Sequence, residues 1–467
     1  MKSDRSIEQL HIHASNEMMD YVRRFEAVFE ISLLTVLYYL VWRRIYFDTA
    51  KFPLYAGNGK YVLCVVYMVI LFLTLRMNEG YQFGKLRYTD LIISQIVSVI
   101  LCNMINFLIL MLIANSIITA LPILFLTLLD IIAILAICYL YTLIYVKTHR
   151  PRRILMVYGR KGAVVLEKKL ERRPDKYRVE EMISADEGME AICREMESFD
   201  AVVLNDITAS LRNDILKHCY KIGKRAYVVP KISDVIVRGA EEIALFDTPL
   251  LLVRSRGISN IQSIVKRLFD IAFCIIALIP ALPVMLLTAL AIKLDDGGSV
   301  FFRQERVTKG GKKFMILKFR SMTEEASNSS EIRATEENDK RVTKVGKFIR
   351  RTRIDELPQL LNILKGEMSL VGPRPERVEY VMKYLEEIPE FAFRYKVPAG
   401  LTGYAQVYGR YNTSAYDKLR LDLTYIEQYS LLMDLKLITM TIRALLDSKS
   451  TEGFTPEQNR EVEKKDV

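Results

Sequence analysis

Four apolar runs fill the first third of the chain, at about 25–42, 61–76, 90–115 and 121–146. Each is near the roughly 20 residues that an α-helix needs to cross the hydrocarbon of a bilayer. In lipid only helices and closed barrels satisfy every backbone N–H and C=O, so residues 1–148 are expected to form a four-helix transmembrane domain. Arg76, Lys85 and Arg87 place the loop between the second and third runs in the cytoplasm, and Lys147, Arg150, Arg152 and Arg153 hold the exit of the fourth there. Arg43, Arg44, Lys51 and Lys60 work against that pattern in the first loop. Asp130 lies within the fourth run, where no Lys, Arg or His in the other apolar cores can pair with it, so a structural role is expected. A membrane transporter or scaffold would need polar residues paired across the spans, and the runs offer almost none by this reading.

Residues 149–260 change character. RRILMVYG, YRVEEMIS, DAVVLND and RAYVVP read as short strands, with helices near 161–172, 186–198 and 208–222 between them. Such alternation predicts a Rossmann-like α/β module. Its first turn, Tyr158 to Gly162, has no G-x-G-x-x-G pattern, which favours a regulatory or assembly role over dinucleotide binding. The six cysteines form no C-x-x-C pair and four fall in apolar runs, as thiols packed in a reducing compartment would. No cleavable signal peptide is apparent at the start.

A fifth apolar stretch, Leu268 to Leu294, carries Pro280 and Pro283 in its middle. Each removes a helical hydrogen bond. Basic residues flank it on both sides: Arg254, Arg256, Lys266 and Arg267 before, Arg303, Arg306, Lys309, Lys312 and Lys313 after. Positive charge at both ends favours a re-entrant helix, broken near 266–294, that enters and leaves one leaflet. The following KLDDGGSVFFRQERVTKGGKKFMILKFRSM reads as a hairpin at the membrane surface. Its loop lysines suit anionic lipid or substrate equally. Lys318 and Arg320 alternate with Phe319, which points both cations to one face and toward a substrate phosphate. Thr323 to Lys340 is polar and acidic, and reads as a mobile loop.

Next comes GKFIRRTRIDELPQLLNILKGEMSLVGPRPE, residues 346–376. Leu357, Leu360, Leu361 and Leu364 recur at helical spacing, so Asp355 and Glu356 sit where an amphipathic helix begins. Asp and Glu there can simply cap the helix and complement its dipole. They can equally present a carboxylate nucleophile to a phosphate, with Arg350, Arg351 and Arg353 and the proline-stiffened Arg374 holding the charge. The rest of the composition favours the second role. The four histidines all precede residue 219 and no cysteine follows Cys274, so this region has no His triad, Cys nucleophile or His/Cys metal site. If chemistry happens there, carboxylates must carry it, and a divalent metal held by oxygen ligands is the expected companion. Tyr425 to Leu446 reads as an interfacial or a buried helix, and 451–467 as a polar tail.

KRLFD, AIKLDDGG, VFFRQERV, KFRSM, RRTRIDELPQLLNILKGEMSLVGPRPE, PAGLTGYAQVYGR and YIEQYSLLMDLK, in this order, resemble the bacterial sugar transferase family. Its members are monotopic polyprenyl-phosphate phosphoglycosyltransferases, and the N-terminal parts resemble the long form. The resemblance implies a fold of three parts: an α-helical membrane domain (1–148), a Rossmann-like α/β module (149–260), and a mostly α catalytic domain (261–450) with a re-entrant membrane helix and a short hairpin. It implies transfer of a hexose-1-phosphate from a UDP-sugar to undecaprenyl phosphate, releasing UMP, as the priming step of exopolysaccharide, capsule or O-antigen synthesis. Asp355 matches the nucleophile and the magnesium ligand, and Glu356 the partner carboxylate assisting the second half-reaction. Arg350, Arg351, Arg374, Lys318, Arg320 and Arg303 are the expected phosphate-binding cations, and Pro283 the helix break. Leu282 departs from the usual serine, and Pro280 is an additional proline. Expected partners are the UDP-sugar, undecaprenyl phosphate and membrane lipid, with a homo-oligomer left open and no nucleic acid. The expected location is the bacterial inner membrane, with the catalytic part in the cytoplasm.

Overall fold

The computed structural model describes residues 2–46, 59–84, 86–114, 117–148, 150–159, 163–253, 257–323, 341–409 and 413–446. The expected loop after Thr323 and the polar tail lie outside these. Two compact units divide between Lys231 and Ile232.

The first unit opens with helices α1 (Lys2–Val41), α2 (Gly59–Met77), α3 (Tyr88–Ala114) and α4 (Leu121–Thr148). Each contains one of the four apolar runs, and each is long and apolar enough to cross a membrane. α1 and α3 both pack on α2 and α4, which closes a core of Leu34, Tyr38, Tyr67, Leu71, Leu126 and Ile134. The outward residues Leu108, Leu124, Leu128 and Ile132 are apolar too, as expected of helices that meet lipid.

The interior of this bundle is more polar than the sequence reading held. Gln95 Nε2 donates to Glu30 Oε2 at 3.0 Å. Asp130 Oδ2 accepts from Asn103 Nδ2 at 2.9 Å and from the Tyr67 hydroxyl at 3.4 Å. The expectation of almost no polar pairing across the spans is therefore corrected, and with it that ground for setting a transporter aside. The donors are neutral amides and a phenol, which a search for Lys, Arg or His cannot register. Asp130 is fully buried and hydrogen-bonded inside the bundle, in keeping with a structural role.

Beyond the bundle lies a parallel sheet of order β2-β1-β3-β4: β1 (Arg152–Tyr158), β2 (Tyr177–Ser184), β3 (Ala201–Asn205) and β4 (Arg225–Val228). Helices α5 (Ala163–Glu171), α6 (Gly188–Met196) and α7 (Ala209–Lys221) connect the strands. The continuous apolar runs of β1 and β3 follow from burial on both faces. Leu155, Val157, Val202 and Leu204 pack against Ile192, Met196 and Ile215 on one face; Ile154, Met156 and Val203 pack against Leu166 and Leu170 on the other.

The second unit begins with α8 (Ile232–Arg238), whose Ile232 and Val235 enter its core. Hairpin β5 (Glu241–Leu245) and β6 (Thr248–Leu252) follows. Helix α9 then runs unbroken from Asn260 to Asp296, 37 residues with Pro280 and Pro283 inside it. It too is long and apolar enough to cross a membrane. Its outer face exposes Ile276, Ile279, Leu282, Leu286 and Leu290, while Cys274, Met285 and Ile292 pack inward. The expected hairpin pairs β7 (Phe301–Val307) with β8 (Lys313–Phe319), turning at Gly310 and Gly311. Both glycines have positive φ, at 70° and 73°, a region that side chains disfavour. Helices α10 (Lys344–Arg351) and α11 (Gln359–Lys365) come next. Strand β9 (Met368–Val371), helix α12 (Val378–Glu387), strand β10 (Ala399–Thr402) and helices α13 (Tyr404–Tyr408), α14 (Ala415–Glu427) and α15 (Leu431–Leu446) complete the unit. β9 and β10 pair in parallel. The single helix expected at 425–446 is two, α14 ending at Glu427 and α15 starting at Leu431; Leu437 and Met440 of α15 are fully buried, while Leu432 and Ile442 are exposed.

Candidate active site

Asp355 and Glu356 lie on a 3-10 turn, Ile354–Glu356, held between α10 and α11. α10 starts where the Thr343 hydroxyl accepts the Gly346 N–H at 2.9 Å. Gly346 admits no side chain, because a Cβ would lie 2.0 Å from the Ser321 carbonyl oxygen. At the other end Arg353 adopts a left-handed conformation, φ 55°. Among the described residues only four non-glycines do so, and the conformation costs roughly 1–2 kcal/mol. It turns the chain abruptly, so the carboxylate pair emerges one turn ahead of α11 rather than on its first residues.

Lys318 and Arg374 converge on Glu356. Both donate to its Oε1, Lys318 Nζ at 2.9 Å and Arg374 Nη2 at 3.0 Å. Two supports bring these cations there. Asn362 of α11 holds the edge of β8, accepting the Leu317 N–H at 3.0 Å and donating to the Met315 carbonyl at 2.9 Å. That fixes Lys318 opposite the turn. Arg374 follows β9, where Gly372 N–H donates to Thr402 and Gly400 N–H to Pro373, at 2.8 and 2.9 Å. Beneath it the wholly buried Arg394 donates to the Arg374 carbonyl at 3.0 Å and pairs with Asp422 at 2.8 Å.

The two carboxylates are electrostatically unlike. Burial alone would push Glu356 up, but the Lys318, Arg374 and Arg353 charges outweigh it and hold the acid well below its ordinary range. Asp355 moves the other way. Burial raises it; Lys318 opposes that rise, and the neighbouring Glu356 charge adds to it. Arg350 and Arg374 also act on Asp355, lowering it. No hydrogen bond or ion pair engages the Asp355 carboxylate among the described residues. One acid is thus locked to two cations, and the other is open to a ligand while lying in their field.

The sequence-derived candidates therefore separate. Asp355, Glu356, Lys318 and Arg374 assemble, with Arg350 close enough to influence Asp355. Arg320 does not join them: it is buried, pairs with Asp296 and donates to the Ser299 carbonyl at 2.6 Å, tying the end of α9 to β8. The expectation that Lys318 and Arg320 serve one face together is corrected, because the strand ends at Phe319. Arg303 stands opposite Leu317 while Lys318 stands opposite Phe302, so alternation places Arg303 on the other face of the hairpin. Arg351 is exposed at the end of α10. The expected helix break at Pro283 is corrected: Pro283 lies within α9, whose helix continues past it because the turns on either side keep their own hydrogen bonds. Sequence reasoning missed Asn362, Arg394, Asp422 and Arg306. Arg306 reaches the Pro375 carbonyl at 3.3 Å, and burial pushes its guanidinium down to about 10. The available signal was a polar residue inside an otherwise apolar run, as Asn362 is in Leu360-Leu361-Asn362-Ile363-Leu364.

Magnesium commonly keeps several waters and takes one or two carboxylates together with substrate phosphates. Asp355 offers such a carboxylate. Among the described residues no group of three or more His, Cys, Asp or Glu could hold an ion by protein alone. The donor set thus fits an ion that arrives with a phosphate ligand, not one caged by the protein.

The family model for "Bacterial sugar transferase" matches residues 261–448, which contain every member of this cluster. The chain is 38% identical over 257 residues to the UDP-N-acetylgalactosamine-undecaprenyl-phosphate N-acetylgalactosaminephosphotransferase of Aeromonas hydrophila, covering 53% of this chain and 60% of that protein. It is 40% identical over 211 residues to the UDP-glucose:undecaprenyl-phosphate glucose-1-phosphate transferase of Escherichia coli K12, covering 44% of each. The match thus spans about half the length of these two relatives. The uncharacterized sugar transferase EpsL of Bacillus subtilis strain 168 is matched over 91% of its length at 41% identity, using 40% of this chain. With a relative matched nearly end to end, and the carboxylate pair and its cations inside the matched region, this chain belongs to the bacterial sugar transferase family.

Proposed function

We propose that the protein transfers a sugar 1-phosphate from a UDP-sugar to undecaprenyl phosphate through a covalent phosphosugar on Asp355, as a priming step of surface polysaccharide synthesis. The observation that carries this reading is the unengaged Asp355 carboxylate beside a Glu356 that holds Lys318 and Arg374 in place. In the first step an Asp355 oxygen attacks the sugar-bearing phosphorus. The P–O bond to the UMP moiety breaks, and UMP leaves with that electron pair. In the second step an oxygen of the lipid phosphate attacks the same phosphorus, and the bond to Asp355 breaks, restoring the carboxylate. Lys318, Arg374 and Arg350 receive the oxygens of the transferring group. Glu356, kept ionised by its cations, positions them; so acidic a group is a weak proton acceptor, and a dianionic lipid phosphate requires none. When bound, magnesium supplies neutralising charge on the diphosphate. The names of the two relatives that act on undecaprenyl phosphate support this substrate class.

The same reading makes α9 re-entrant, with the sheet and the catalytic part both cytoplasmic at the inner membrane, and makes the parallel sheet a Rossmann-like regulatory or assembly module. Two prolines inside α9 and basic residues on both sides support that topology. The mechanism is tested with Asp355→Asn, which preserves the shape of the turn but cannot form an acyl phosphate. UMP release should fall to background. Wild type incubated with UDP-sugar and magnesium, without lipid, should leave a hydroxylamine-sensitive adduct on the peptide containing Asp355. An active Asp355→Asn protein free of deamidation would favour direct transfer without a covalent intermediate.

A further inference from the structure

A second basic cavity opens at the opposite end of α11 from the carboxylate pair, beside the first turns of α9. It encloses about 140 Å³ and is lined by Ser263, Lys266, Arg267 and Asp270 of α9, by Lys309 of the β7–β8 turn and by Lys396. At about 30 Å³ for each water, that volume accommodates a tetrahedral oxyanion. None of Asp355, Glu356, Lys318 or Arg374 lines it.

Its charges fall into two sets. Lys266 is buried and paired with Asp434 at 2.6 Å. Arg267 donates to the Ile363 carbonyl and, at 2.7 Å, to the Leu364 carbonyl at the end of α11. Asp270 accepts the Leu370 N–H at 3.1 Å. These groups are fixed and form the wall. Lys309 and Lys396 are not fixed in this way: among the described residues neither ammonium makes a hydrogen bond or ion pair, although Lys396 lies 5.5 Å over the Phe393 ring and within the field of Glu427. Beside the cavity, Ile261, Ile264, Val265 and Leu268 present an exposed apolar face of α9.

We propose that this cavity binds a phosphate group, clamped between Lys309 and Lys396 and bordered by Ser263 and Arg267. Two cations converge on a space of the right size, and a buried ion pair behind them keeps the wall rigid. The apolar face beside it admits a lipid headgroup as the source of the phosphate; the open lysine rim admits a free anion.

The test uses the full chain in phosphatidylcholine nanodiscs. One arm measures equilibrium binding of radiolabelled inorganic phosphate. The other adds phosphatidic acid or phosphatidylglycerol and counts retained lipid by native mass spectrometry. Each arm compares wild type with Lys309→Ala/Lys396→Ala, Lys312→Ala/Lys313→Ala and Lys318→Ala. Saturable binding that weakens roughly tenfold or more in the first pair only is the expected result. Seen in the phosphate arm it identifies a free anion; seen as preference for phosphatidic acid it identifies a headgroup. Equal loss in both lysine pairs, loss in Lys318→Ala alone, or no saturable binding in either arm overturns the proposal.

Discussion

Asp355 and Glu356 are adjacent in sequence, yet their surroundings drive their acidities apart. Glu356 shares one oxygen between two cations, whereas Asp355 has their field but no direct partner. A nucleophilic carboxylate must be ionised. Because the Asp355 acidity is weakened, its ionised fraction is lost on acidification at a higher pH than for an ordinary aspartate. Turnover should therefore fall on the acid side earlier than an unperturbed carboxylate would require. Lys318→Ala removes a cation that opposes protonation of Asp355, so it should move that acid limb further upward in pH, besides lowering the rate. The pH profile of UMP release measures both effects, and an unmoved or lowered limb would contradict the assignment. Arg374→Ala should cost one charge-assisted contact, about 1.5–3 kcal/mol in transition-state stabilisation. Arg303→Ala, on the far face of the hairpin, should cost far less. Equal losses at Arg374 and Arg303 would mean that a diffuse field, not a site, binds the phosphate.

At the scale of elements, one side chain joins two of them. Asn362 completes the edge of β8 from within α11, and it also reaches Glu367 at 2.6 Å. Asn362→Leu keeps the branched outline of the side chain, with bulkier methyl ends, but leaves the Leu317 N–H and the Met315 carbonyl without this partner. Each buried polar group left unpaired costs about 1–3 kcal/mol. Denaturant unfolding of the catalytic region should shift to lower concentration, and UMP release should fall more than the loss of folded protein explains, since Lys318 moves with the strand. A stability loss with full activity per folded molecule would show that β8 is placed by its other contacts. The left-handed Arg353 is the other joint. It redirects the chain from α10 into the 3-10 turn, and no helical period announces it.

For the whole molecule the decisive element is α9. Five helices are long and apolar enough to cross a membrane, so a re-entrant and a spanning α9 lead to opposite topologies. Single cysteines at the exposed positions Ser210 and Lys312, in a cysteine-free background, separate them. If α9 re-enters, both sites are protected in intact cells and both label once the cells are opened. Labelling of one and protection of the other would mean that α9 spans. The prolines allow either outcome locally, because the helix continues through them.

Much of this architecture is legible along the chain because periodicity and length are local properties. The four long apolar helices, the parallel strands with their connecting helices and the Gly-Gly hairpin appear where apolar runs, alternation and turn residues place them. Asp355 and Glu356 stood out because the chain offers no histidine or cysteine nearby. The pairings across space were not legible. Arg320 lies two residues from Lys318 but ends on Asp296, since a side chain's direction depends on where its strand stops. Asp130 and Glu30 find Asn103, Tyr67 and Gln95, neutral donors with no signature in a map of charge. Ile232 and Val235 continue the α/β module in sequence but pack into the core of the second unit, because burial depends on which apolar face the folded chain brings opposite. Residue types and their spacing thus specify which elements form and which groups can react. The assignment of Lys318 and Arg374 to Glu356, leaving Asp355 open, requires contacts between segments far apart in the chain, and only the packed structure supplies them.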